Sequence, residues 1–282
     1  MMKTLIKRHT LLLLTAIISS MGIPAVGAEP YPLWELGIGI GGLTLPDYRG
    51  SDEQRYLVFP IPYLVYRGEV LKVDRERIRG LLFKTERLEL NFSLNGSPPV
   101  KSKNNKAREG MPNLDPTLEF GPQLNVLLWE DRPDYKLTFQ LPLRKVIATD
   151  LRSAHNAGLI SNPILNLDIK NIGQPGWNLG LSGGPVFANR TYHQYSYGVP
   201  AAYETAERPA YNASGGYSGT QVTLALSKRF PDFWTGAFIR VYDLHGTAFD
   251  NSPLLERHRS FMAGIGVAWI FSRSDTKVMA DE

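Results

Sequence analysis

The sequence predicts an all-β protein: a transmembrane antiparallel β-barrel of up-and-down strand order, with about 12 strands or, as the alternative, about 10. Three observations lead to this prediction. Hydrophobic and polar residues alternate over long stretches, short turns alternate with long loops, and tryptophans gather at one end of the strands. The 43% of hydrophobic residues is too high for a disordered chain, and 26 glycines and 20 prolines supply many turns.

The clearest alternation lies between Leu118 and Leu143. Apolar residues occupy nearly every second position in both arms, and the polar segment 130–134 separates the arms. Successive strand side chains point to opposite faces, so this hairpin has one apolar face and one polar face. Each arm keeps the pattern for about ten residues, roughly the length of a tilted strand that crosses a bilayer. A soluble sandwich can show the same alternation, so the rest of the chain decides.

Similar patterns predict the remaining strands. Pro60 and Pro62 interrupt the donors of one of them, and the two shortest candidates, 69–73 and 78–83, have the least clear pattern. Without that pair the count falls to about ten, and the even number required of such barrels is kept. The expected strands outside the hairpin are 34–40, 57–65, 69–73, 78–83, 88–94, 159–170, 177–187, 222–226, 235–242 and 261–271.

Short and long connections alternate along the chain. In an up-and-down meander, this order puts every long loop on one rim and every short turn on the other, as in outer-membrane barrels. The connection at 74–77 is the exception, because it is short but is assigned to the rim of the long loops. Short turns are expected near Arg67, near Thr85 and at 130–134, 173–176 and 230–232, and long loops at 46–55, 96–115, 147–156, 189–218 and 244–260.

Aromatic residues mark the short-turn rim. Indoles favour the membrane interface, where an apolar ring meets a polar edge, so the tryptophans are expected to form an interface girdle. The last strand ends on Phe271, an ending common in such barrels, although residues 272–282 continue beyond it. The predicted girdle consists of Trp34, Trp129, Trp177, Trp234 and Trp269.

Residues 1–28 are expected to be a cleaved secretory signal peptide. Lys3, Lys7 and Arg8 precede the apolar run 11–18, and Ala28 follows two other small or apolar residues at the cleavage position. The barrel would then occupy 29–271, and 272–282 would form a short periplasmic tail. Export without a run of about 18 apolar residues in the mature chain predicts the outer membrane of a Gram-negative bacterium.

Charge and cysteine content limit the classes of partner and site. Three of the 31 basic residues lie in the signal segment, so the mature chain, with 27 acidic residues, is close to neutral. A nucleic-acid partner is therefore not expected. The chain has no cysteine, which excludes disulfides, thiolate metal sites and a lipoprotein anchor.

No catalytic residue, metal site or cofactor is expected. The histidines after the signal segment lie in loops or at strand ends, without the spacing of a ligand pair. The nearest approach to a hydrolase set is His245 with Ser252 or Asp250 in one loop, where histidines are usually only solvated. The four histidines are His155, His193, His245 and His258.

Seven charged side chains are expected to face the barrel lumen. They can line a selective channel, or they can form compensating ion pairs that fill a narrow interior, because buried charges must be paired. The assignment of these residues to the lumen rests on strand parity alone, and it leaves both interpretations open. They are Glu35, Glu89, Glu119, Lys136, Arg144, Asp168 and Arg240.

A basic run in the loop 96–115 offers a second candidate site. It can bind the phosphates of lipopolysaccharide, or it can be an ordinary solvated loop. The run consists of Lys101, Lys103, Lys106 and Arg108.

Short loop motifs carry a family resemblance. The segment Pro46-Asp47-Tyr48-Arg49-Gly50-Ser51-Asp52, followed by Pro60, Pro62, Tyr63 and Tyr66-Arg67-Gly68, resembles the opening of the MipA/OmpV family of outer-membrane proteins. Segments 197–199, 208–211 and 215–217 resemble that family's long loop. Segments 244–248 and 251–253 resemble its last outer loop, where Thr247 departs from the usual acidic residue. The motif-loop residues are Tyr48, Gly50, Ser51, Asp52, Ser252 and Pro253.

The resemblance covers nearly the whole mature chain and implies a single outer-membrane barrel without catalytic residues. The member that names the family is a scaffold joining a lytic transglycosylase to a murein synthase. The resemblance therefore implies a binding platform for peptidoglycan-remodelling enzymes, surrounded by outer-membrane lipid and lipopolysaccharide. Other members are linked to adhesion, osmotic response or antibiotic passage. A narrow channel for small solutes, or an adhesin using the long loop 189–218, therefore remains an alternative.

Overall fold

The computed structural model describes residues 30–68, 71–73, 78–131, 134–150 and 152–279. The expected signal peptide and the connection at 74–77 lie outside the described residues. Within the described ranges, every helix is too short or too polar to cross a bilayer.

The described chain is mostly β-strand. The strands are β1 (Tyr31–Pro32), β2 (Trp34–Pro46), β3 (Gln54–Arg67), β4 (Leu71–Val73), β5 (Ile78–Lys84), β6 (Leu88–Ser97), β7 (Thr117–Asp131), β8 (Tyr135–Thr149), β9 (Ala154–Ser161), β10 (Ile164–Lys170), β11 (Trp177–Ala188), β12 (Gly216–Arg229), β13 (Phe233–Asp243), β14 (Arg259–Arg273) and β15 (Lys277–Val278). One α-helix, α1 (Arg190–Tyr197), and three 3-10 turns, Ser102–Asn104, Lys106–Arg108 and Ala201–Tyr203, lie in the loops.

Strands β2 to β14 form one antiparallel sheet that closes on itself. Each strand pairs with its neighbours in sequence, except that β9 and β10 are not paired with each other, and β14 pairs with β2. Strands β9 and β10 are two halves of one strand, because β8 and β11 each pair with both halves. Counted in this way, the sheet is a 12-stranded barrel with up-and-down order. The main strand-count prediction is confirmed, and the short strands β4 and β5 both belong to the wall.

Pro163 divides the strand that the sequence predicts as continuous over 159–170. A proline has no backbone N–H to donate to a ladder. The chain leaves regular pairing at residues 162 and 163, where the Ser161 hydroxyl donates to the Pro142 carbonyl over 2.7 Å. Across the next strand, a Cβ on Gly184 would lie 1.9 Å from the Pro163 carbonyl oxygen. The glycine therefore permits the close approach of the two backbones.

The loop expected at 147–156 is much shorter than predicted. Strand β8 continues to Thr149, and β9 begins at Ala154, with Ala148 paired to His155 and Ile147 to Asn156. Alanine, asparagine and histidine give little strand signal, so the alternation is hard to see there. A register shift between Val146 and Ile147 interrupts the pattern as well.

The alternation sorts side chains as the sequence predicts. Buried polar residues such as Glu119 and Gln123 point inward, and a band of exposed apolar side chains covers the outside. A register shift between Leu127 and Trp129 explains why Trp129 points outward, whereas Leu127 still lies opposite the inward Thr138. Members of the outer band include Ile38, Ile40, Leu141, Leu143, Leu181, Leu224, Ile239, Val241, Ile265 and Val267.

The inner wall has an apolar half and a polar half. Strands β13, β14, β2 and β3 present glycines and large apolar side chains to the lumen, whereas β6 to β12 present amides, hydroxyls and charges. Inward residues of the apolar half include Gly37, Gly39, Gly41, Ile61, Tyr63, Gly236, Phe238, Gly264, Gly266 and Ala268. Those of the polar half include Asn91, Gln123, Asn125, Thr138, Gln140, Asn166, Asn178, Gln221 and Thr223.

Two glycines on the inner face of β11 provide a matched test of the Pro163 contact. Gly184→Ala would drive a Cβ into the Pro163 carbonyl, whereas the nearest atom to a Cβ on Gly180 lies at 3.8 Å. We expect Gly184→Ala to lower the free energy of unfolding by about 1–3 kcal/mol, and Gly180→Ala to change it by less than about 0.5 kcal/mol. Urea unfolding of the refolded barrel measures both. Equal effects would contradict the close approach.

Candidate functional site

Four segments between strands gather at the long-loop rim into one body, which we call the cap. The cap comprises residues 47–53, 98–116, 189–215 and 244–258. It has its own hydrophobic core, in which the rings of Tyr197 and Phe249 stack with centroids 3.7 Å apart. Its other buried members, some on the ends of adjoining strands, are Tyr48, Val100, Met111, Leu114, Val199, Tyr242, Leu244 and Leu254.

Helix α1 enters the mouth of the barrel. The Asn189 side chain accepts hydrogen bonds from the backbone N–H of Tyr192, as a helix N-cap, and from the backbone N–H of Leu159 on β9, both over 3.0 Å. Gly158, at φ +112°, leaves room for this contact, because a Cβ there would lie 2.5 Å from the Tyr192 nitrogen. The start of the helix is therefore fixed directly to the barrel wall.

The helix also packs on the inner wall through two tyrosines. Tyr192 and Tyr195 contact a cluster of inward apolar residues on β8, β9 and β11. The Tyr195 hydroxyl donates to the Asp115 carbonyl over 3.1 Å, which connects the helix to the 98–116 segment. The wall cluster consists of Val146, Ala148, Ala157, Ile160, Val186 and Ala188. Helix α1 and the other segments of the cap together close the long-loop mouth.

The motif-loop residues join the segments of the cap. The Gly50 carbonyl accepts from the backbone N–H groups of Glu256 and Arg257, each over 2.9 Å. Gly50 has φ +87°, and a Cβ there would lie 2.3 Å from a Leu255 methyl carbon, so only glycine fits. The Tyr48 hydroxyl donates to the Leu254 carbonyl over 2.9 Å. Burial raises the pKa of Tyr48, so the hydroxyl keeps its proton.

The other motif residues have similar contacts. Asp52 forms an ion pair with Arg257, and Ser51 accepts from the Asn105 side-chain amide over 2.9 Å. The Ser252 hydroxyl donates to the Tyr197 carbonyl over 2.7 Å, and Pro253 follows it, half-buried. These residues hold the cap together, and their partners in the structure come from the cap itself.

The basic run does not remain together as a surface. Lys101, Lys103 and Lys106 are exposed, but Arg108 is buried. The Arg108 guanidinium donates to the carbonyls of Ser196, over 3.1 Å, and Pro112, over 3.3 Å. Arg108 therefore stabilises the cap, and its burial fits neither the lipopolysaccharide interpretation of the basic run nor the solvated-loop interpretation.

Arg49 is a cap residue that the sequence analysis did not single out. Its guanidinium donates to the hydroxyl and carbonyl of Ser218 over 3.1 and 3.3 Å and lies 3.4 Å from the Tyr192 hydroxyl. The Tyr197 hydroxyl donates to the Arg49 carbonyl over 2.8 Å. Arg49 thus joins the first loop to helix α1 and to β12. Only its place inside the Tyr48–Gly50 motif signals this role.

The histidines do not form the hydrolase set considered from the sequence. Ser252 is used inside the cap, the His245 ring contacts Asp243 over 2.6 Å, and His258 contacts Asp250 over 2.9 Å. His155 lies against the Tyr195 ring. In the described ranges, no group of three or more His, Cys, Asp or Glu is arranged to hold a metal ion.

His193 is buried in the core of the cap. Its Nδ1 lies 2.6 Å from the Ser214 carbonyl, and its Nε2 is buried without a partner among the described residues. The ring stands edge-on to Phe249 with centroids 4.8 Å apart. Burial lowers the pKa of His193, and the Arg49 charge acts in the same direction. The neutral ring is therefore the form that fits the cap.

In the lumen, Glu35 joins three strands at the short-turn rim. Its carboxylate is buried and accepts from Arg67 over 3.1 Å, from Arg229 over 3.0 Å and from the Tyr63 hydroxyl over 3.2 Å. The two arginines end β3 and β12, so their pairing with Glu35 depends on barrel closure. Both were missed in the sequence because they sit beside turns.

A second ion pair lies below the cap. The Arg144 Nε is 3.2 Å from Glu119, and the same guanidinium donates to Asn162 over 2.6 Å and to Ser93 over 3.2 Å. Asn95 donates to Glu119 over 3.2 Å. Each charge therefore has both an opposite charge and neutral polar partners.

The remaining predicted lumen charges lie on the polar half of the wall or at its edge. Glu89 accepts from Asn91 over 2.8 Å, and the Arg240 Nε donates to Thr223 over 2.8 Å. Lys136 and Asp168 lie directly opposite each other in the β8–β10 register. Glu89 and Arg240 thus have neutral polar partners in these contacts, whereas Lys136 and Asp168 place opposite charges side by side.

Four of the five predicted girdle tryptophans share the outward parity. Trp129 and Trp269 are about half exposed, and the Lys228 ammonium lies 4.9 Å from the centre of the Trp177 ring. Trp34 is partly covered. Trp234 instead packs inside the barrel against Tyr63, with ring centroids 6.4 Å apart. Its girdle assignment is wrong, because β13 places it on the same face as Gly236 and Arg240.

The Glu35 cluster predicts a large effect of one carboxylate. Glu35→Ala leaves Arg67 and Arg229 close together without their anion, and we expect the free energy of unfolding to fall by about 3 kcal/mol. Asp232 pairs with Arg273 over 2.6 Å on the exposed rim, so Asp232→Ala should cost less than about 1 kcal/mol. Urea unfolding compares the two variants. Similar losses would contradict a structural role for the buried cluster.

The buried imidazole predicts a pH-dependent cap. When the cap loosens, the His193 ring binds a proton near the ordinary histidine pKa of about 6.5. In the closed cap, burial keeps the same ring neutral. Cap stability is therefore complete above that pKa and is lost as the pH falls below it. Hydrogen exchange of residues 189–215, corrected for its intrinsic pH dependence, should accelerate on acidification.

Two histidine variants separate this effect from general acid destabilisation. His193→Gln should remove the pH dependence, and His258→Gln, which changes an exposed ring, should retain it. An unchanged pH response in His193→Gln would show that other groups control the cap.

Comparisons with known proteins agree with this architecture. Residues 38–271 match the family model described as MltA-interacting protein MipA. No curated protein sequence matches the chain. Among solved structures, the chain is similar to a bacterial polysaccharide outer membrane secretin, with 9% identity, 86% of this chain and 100% of that chain covered, and a TM-score of 0.42.

A second similar structure is the COG4313 outer membrane channel from Pseudomonas putida F1, with 12% identity, 87% of this chain and 98% of that chain covered, and a TM-score of 0.41. A third is the NanC porin, with 9% identity, 83% and 98% covered, and a TM-score of 0.37. The family match extends over most of the barrel. The chain therefore belongs to the MipA family and is an outer-membrane β-barrel.

Proposed function

We propose that this barrel is a non-enzymatic platform that binds peptidoglycan-remodelling enzymes at its short-turn rim. The family description names an interaction with MltA, and the resemblance of the loops implies a scaffold between a lytic transglycosylase and a murein synthase. The observation that carries the proposal is the closed long-loop mouth. Because the cap, including α1, occupies that end of the barrel, periplasmic partners would bind at the short-turn rim.

The rim is larger than its short turns alone. Strands β1 and β15 form a small antiparallel sheet there, with Tyr31 opposite Val278 and Pro32 opposite Lys277. The backbone N–H of Leu33 donates to the Thr276 carbonyl over 2.8 Å. The chain after β14 therefore folds back along the start of the barrel and adds a ledge to the rim.

Exposed charges of both signs cover this rim. Arg273, Asp275 and Lys277 lie on the returning segment, and Asp232 lies in the neighbouring turn. Mixed charges at the edge of an interface steer association and make it sensitive to salt. The rim thus suits a reversible partner whose binding weakens as ionic strength rises.

The long loop 189–218 gives less support to an adhesin. Its aromatic residues Tyr192 and Tyr197 point into the barrel mouth and the cap core, so they do not form a sticky outer surface. The partly accessible amides and hydroxyls of the polar inner wall do favour one second candidate, a narrow channel for small polar solutes that conducts when the cap moves.

Retention of purified enzymes on the immobilised barrel tests the platform. We expect a lytic transglycosylase or a murein synthase to bind at low salt in mild detergent. The double change Arg273→Glu with Lys277→Glu should weaken that binding at least severalfold. The double change Lys101→Glu with Lys103→Glu alters the net charge equally at the cap and should leave binding intact.

Two results would contradict the platform. In one, neither enzyme is retained by the folded wild-type barrel. In the other, the cap and rim variants weaken binding equally, which would indicate attraction to net charge and not to the rim.

A further inference from the structure

Strand β3 is paired along one edge for its whole length but along the other for only a short part. It pairs with β2 from Gln54 to Arg67, whereas within the described ranges its second edge pairs with β4 only through Tyr66 and Arg67. On the far side, the pairs between β6 and the described part of β5 extend from Glu89 to Phe92. Residues 54–62 of β3 and 93–97 of β6 thus face each other across an interval in the wall, which we call the side window.

The window is somewhat taller than the hydrocarbon part of one membrane leaflet. Nine strand residues, at about 3.3 Å each, extend over roughly 30 Å along the strand, which corresponds to about 20–25 Å along the membrane normal at the usual strand tilt, much of it within the hydrocarbon zone. The cap closes the upper end, because Arg55 donates to the Pro99 carbonyl over 2.7 Å and Glu53 accepts from the Lys106 backbone over 2.7 Å. The opening therefore faces sideways, toward lipid.

The prolines of β3 lie on this open edge. The Arg67 backbone N–H donates to the Leu33 carbonyl, on the β2 side, so odd-numbered residues of β3 bond toward β2. Even-numbered residues point their backbone groups at the window, and Pro60 and Pro62 are among them. Proline on an edge withholds the donors that another strand would need. The edge is therefore poorly suited to pairing with another chain.

Side chains around the window are unusually uncovered. The outward residues Tyr56 and Val58 are 81% and 76% exposed, whereas outward residues on strands that are paired at both edges include Leu224, at 44%, and Ile265, at 71%. Phe59 has inward parity and is still 41% exposed. Where no described strand pairs with this edge, the inner face of β3 is therefore exposed as well as its outer face.

The inner wall beside the window is apolar. Ile61 and Phe59 lie over Gly41: a Cβ there would meet their side chains at 2.8 and 3.2 Å. The Ile61 methyl also covers Gly266, at 2.8 Å from its would-be Cβ. Glycines on β2 and β14 let these side chains lie flat against the wall, so an apolar surface extends from the window into the lumen.

We propose that the side window admits an acyl chain of a membrane lipid to the apolar inner wall. The occupant is a lipid chain because the window opens at the depth where lipid tails surround the barrel, and because both its outer flank and its inner wall are apolar. The backbone N–H groups of Tyr56 and Val58 face the same opening and can donate to the ester carbonyls of the lipid. The inference requires only the barrel fold and is independent of the enzyme-binding rim.

Depth-dependent quenching tests this proposal, and the absence of native cysteine allows clean single-site labelling. Phe59→Cys receives a small environment-sensitive fluorophore, and the barrel is reconstituted into phosphatidylcholine vesicles with or without bromine on the acyl chains. Thr223→Cys, inward on the fully paired β12, and Leu224→Cys, outward on the same strand, are the matched controls. Ile61→Cys replaces Phe59→Cys if that variant does not refold.

We expect bromine to quench the Phe59 label nearly as strongly as the Leu224 label and several-fold more than the Thr223 label. The heat-shifted mobility of the folded barrel on gels confirms folding before each measurement. Quenching of the Phe59 and Ile61 labels no greater than that of the Thr223 label would overturn the proposal, because lipid chains would then not reach the inner wall.

Discussion

The packing of helix α1 against the inner wall of the barrel mouth is the contact on which the cap depends. Asn189 begins the helix and also bonds to β9, and Gly158 gives the helix the space to approach. Tyr192 and Tyr195 then cover the apolar cluster of β8, β9 and β11. The remaining cap segments bond to this helix or to each other, so closing the mouth follows from fixing a short helix at one place.

The lumen beneath the cap obeys a different constraint. Charges inside a barrel of this size need partners, and Glu35 and Glu119 each face arginines from other strands. The apolar half of the wall relies on glycines that let aromatic and aliphatic side chains lie flat. An apolar half, a polar half with paired charges and a closed outer mouth describe a barrel whose accessible polar face is the short-turn rim.

The two-residue repeat along each strand made most of the fold predictable from the sequence, because the side chains that face lipid are apolar and alternate with glycines or polar residues on the inner face of many strands. That rule put Glu35, Glu119 and Arg144 on the inner face, where the structure has them buried. Trp234 shares the parity of Arg240 and lies inward in the structure, but it was assigned to the outside from its height along the strand alone. The rule failed at Pro163 and at residues 147–156, where a missing donor and a register shift interrupt the repeat.

The cap was not predictable in the same way. Arg108 and Ser196, or Gly50 and Arg257, are far apart in sequence, and loop residues carry no periodic signal that identifies such partners. The family motifs include Tyr48 to Asp52 and Ser252, and in the structure these residues join loops, a role that the motifs do not reveal. The buried state of His193 and Arg108 depends on that assembly and on no local pattern.

The closed mouth is the central claim, and planar-bilayer conductance tests it most directly. The folded wild-type barrel should give no steady ion current at neutral pH. A variant in which a short Gly-Ser linker replaces residues 190–215 should conduct steadily through the polar half of the lumen. Steady current through the wild type, equal to that of the linker variant, would contradict the claim, because α1 and the cap would then not close the barrel.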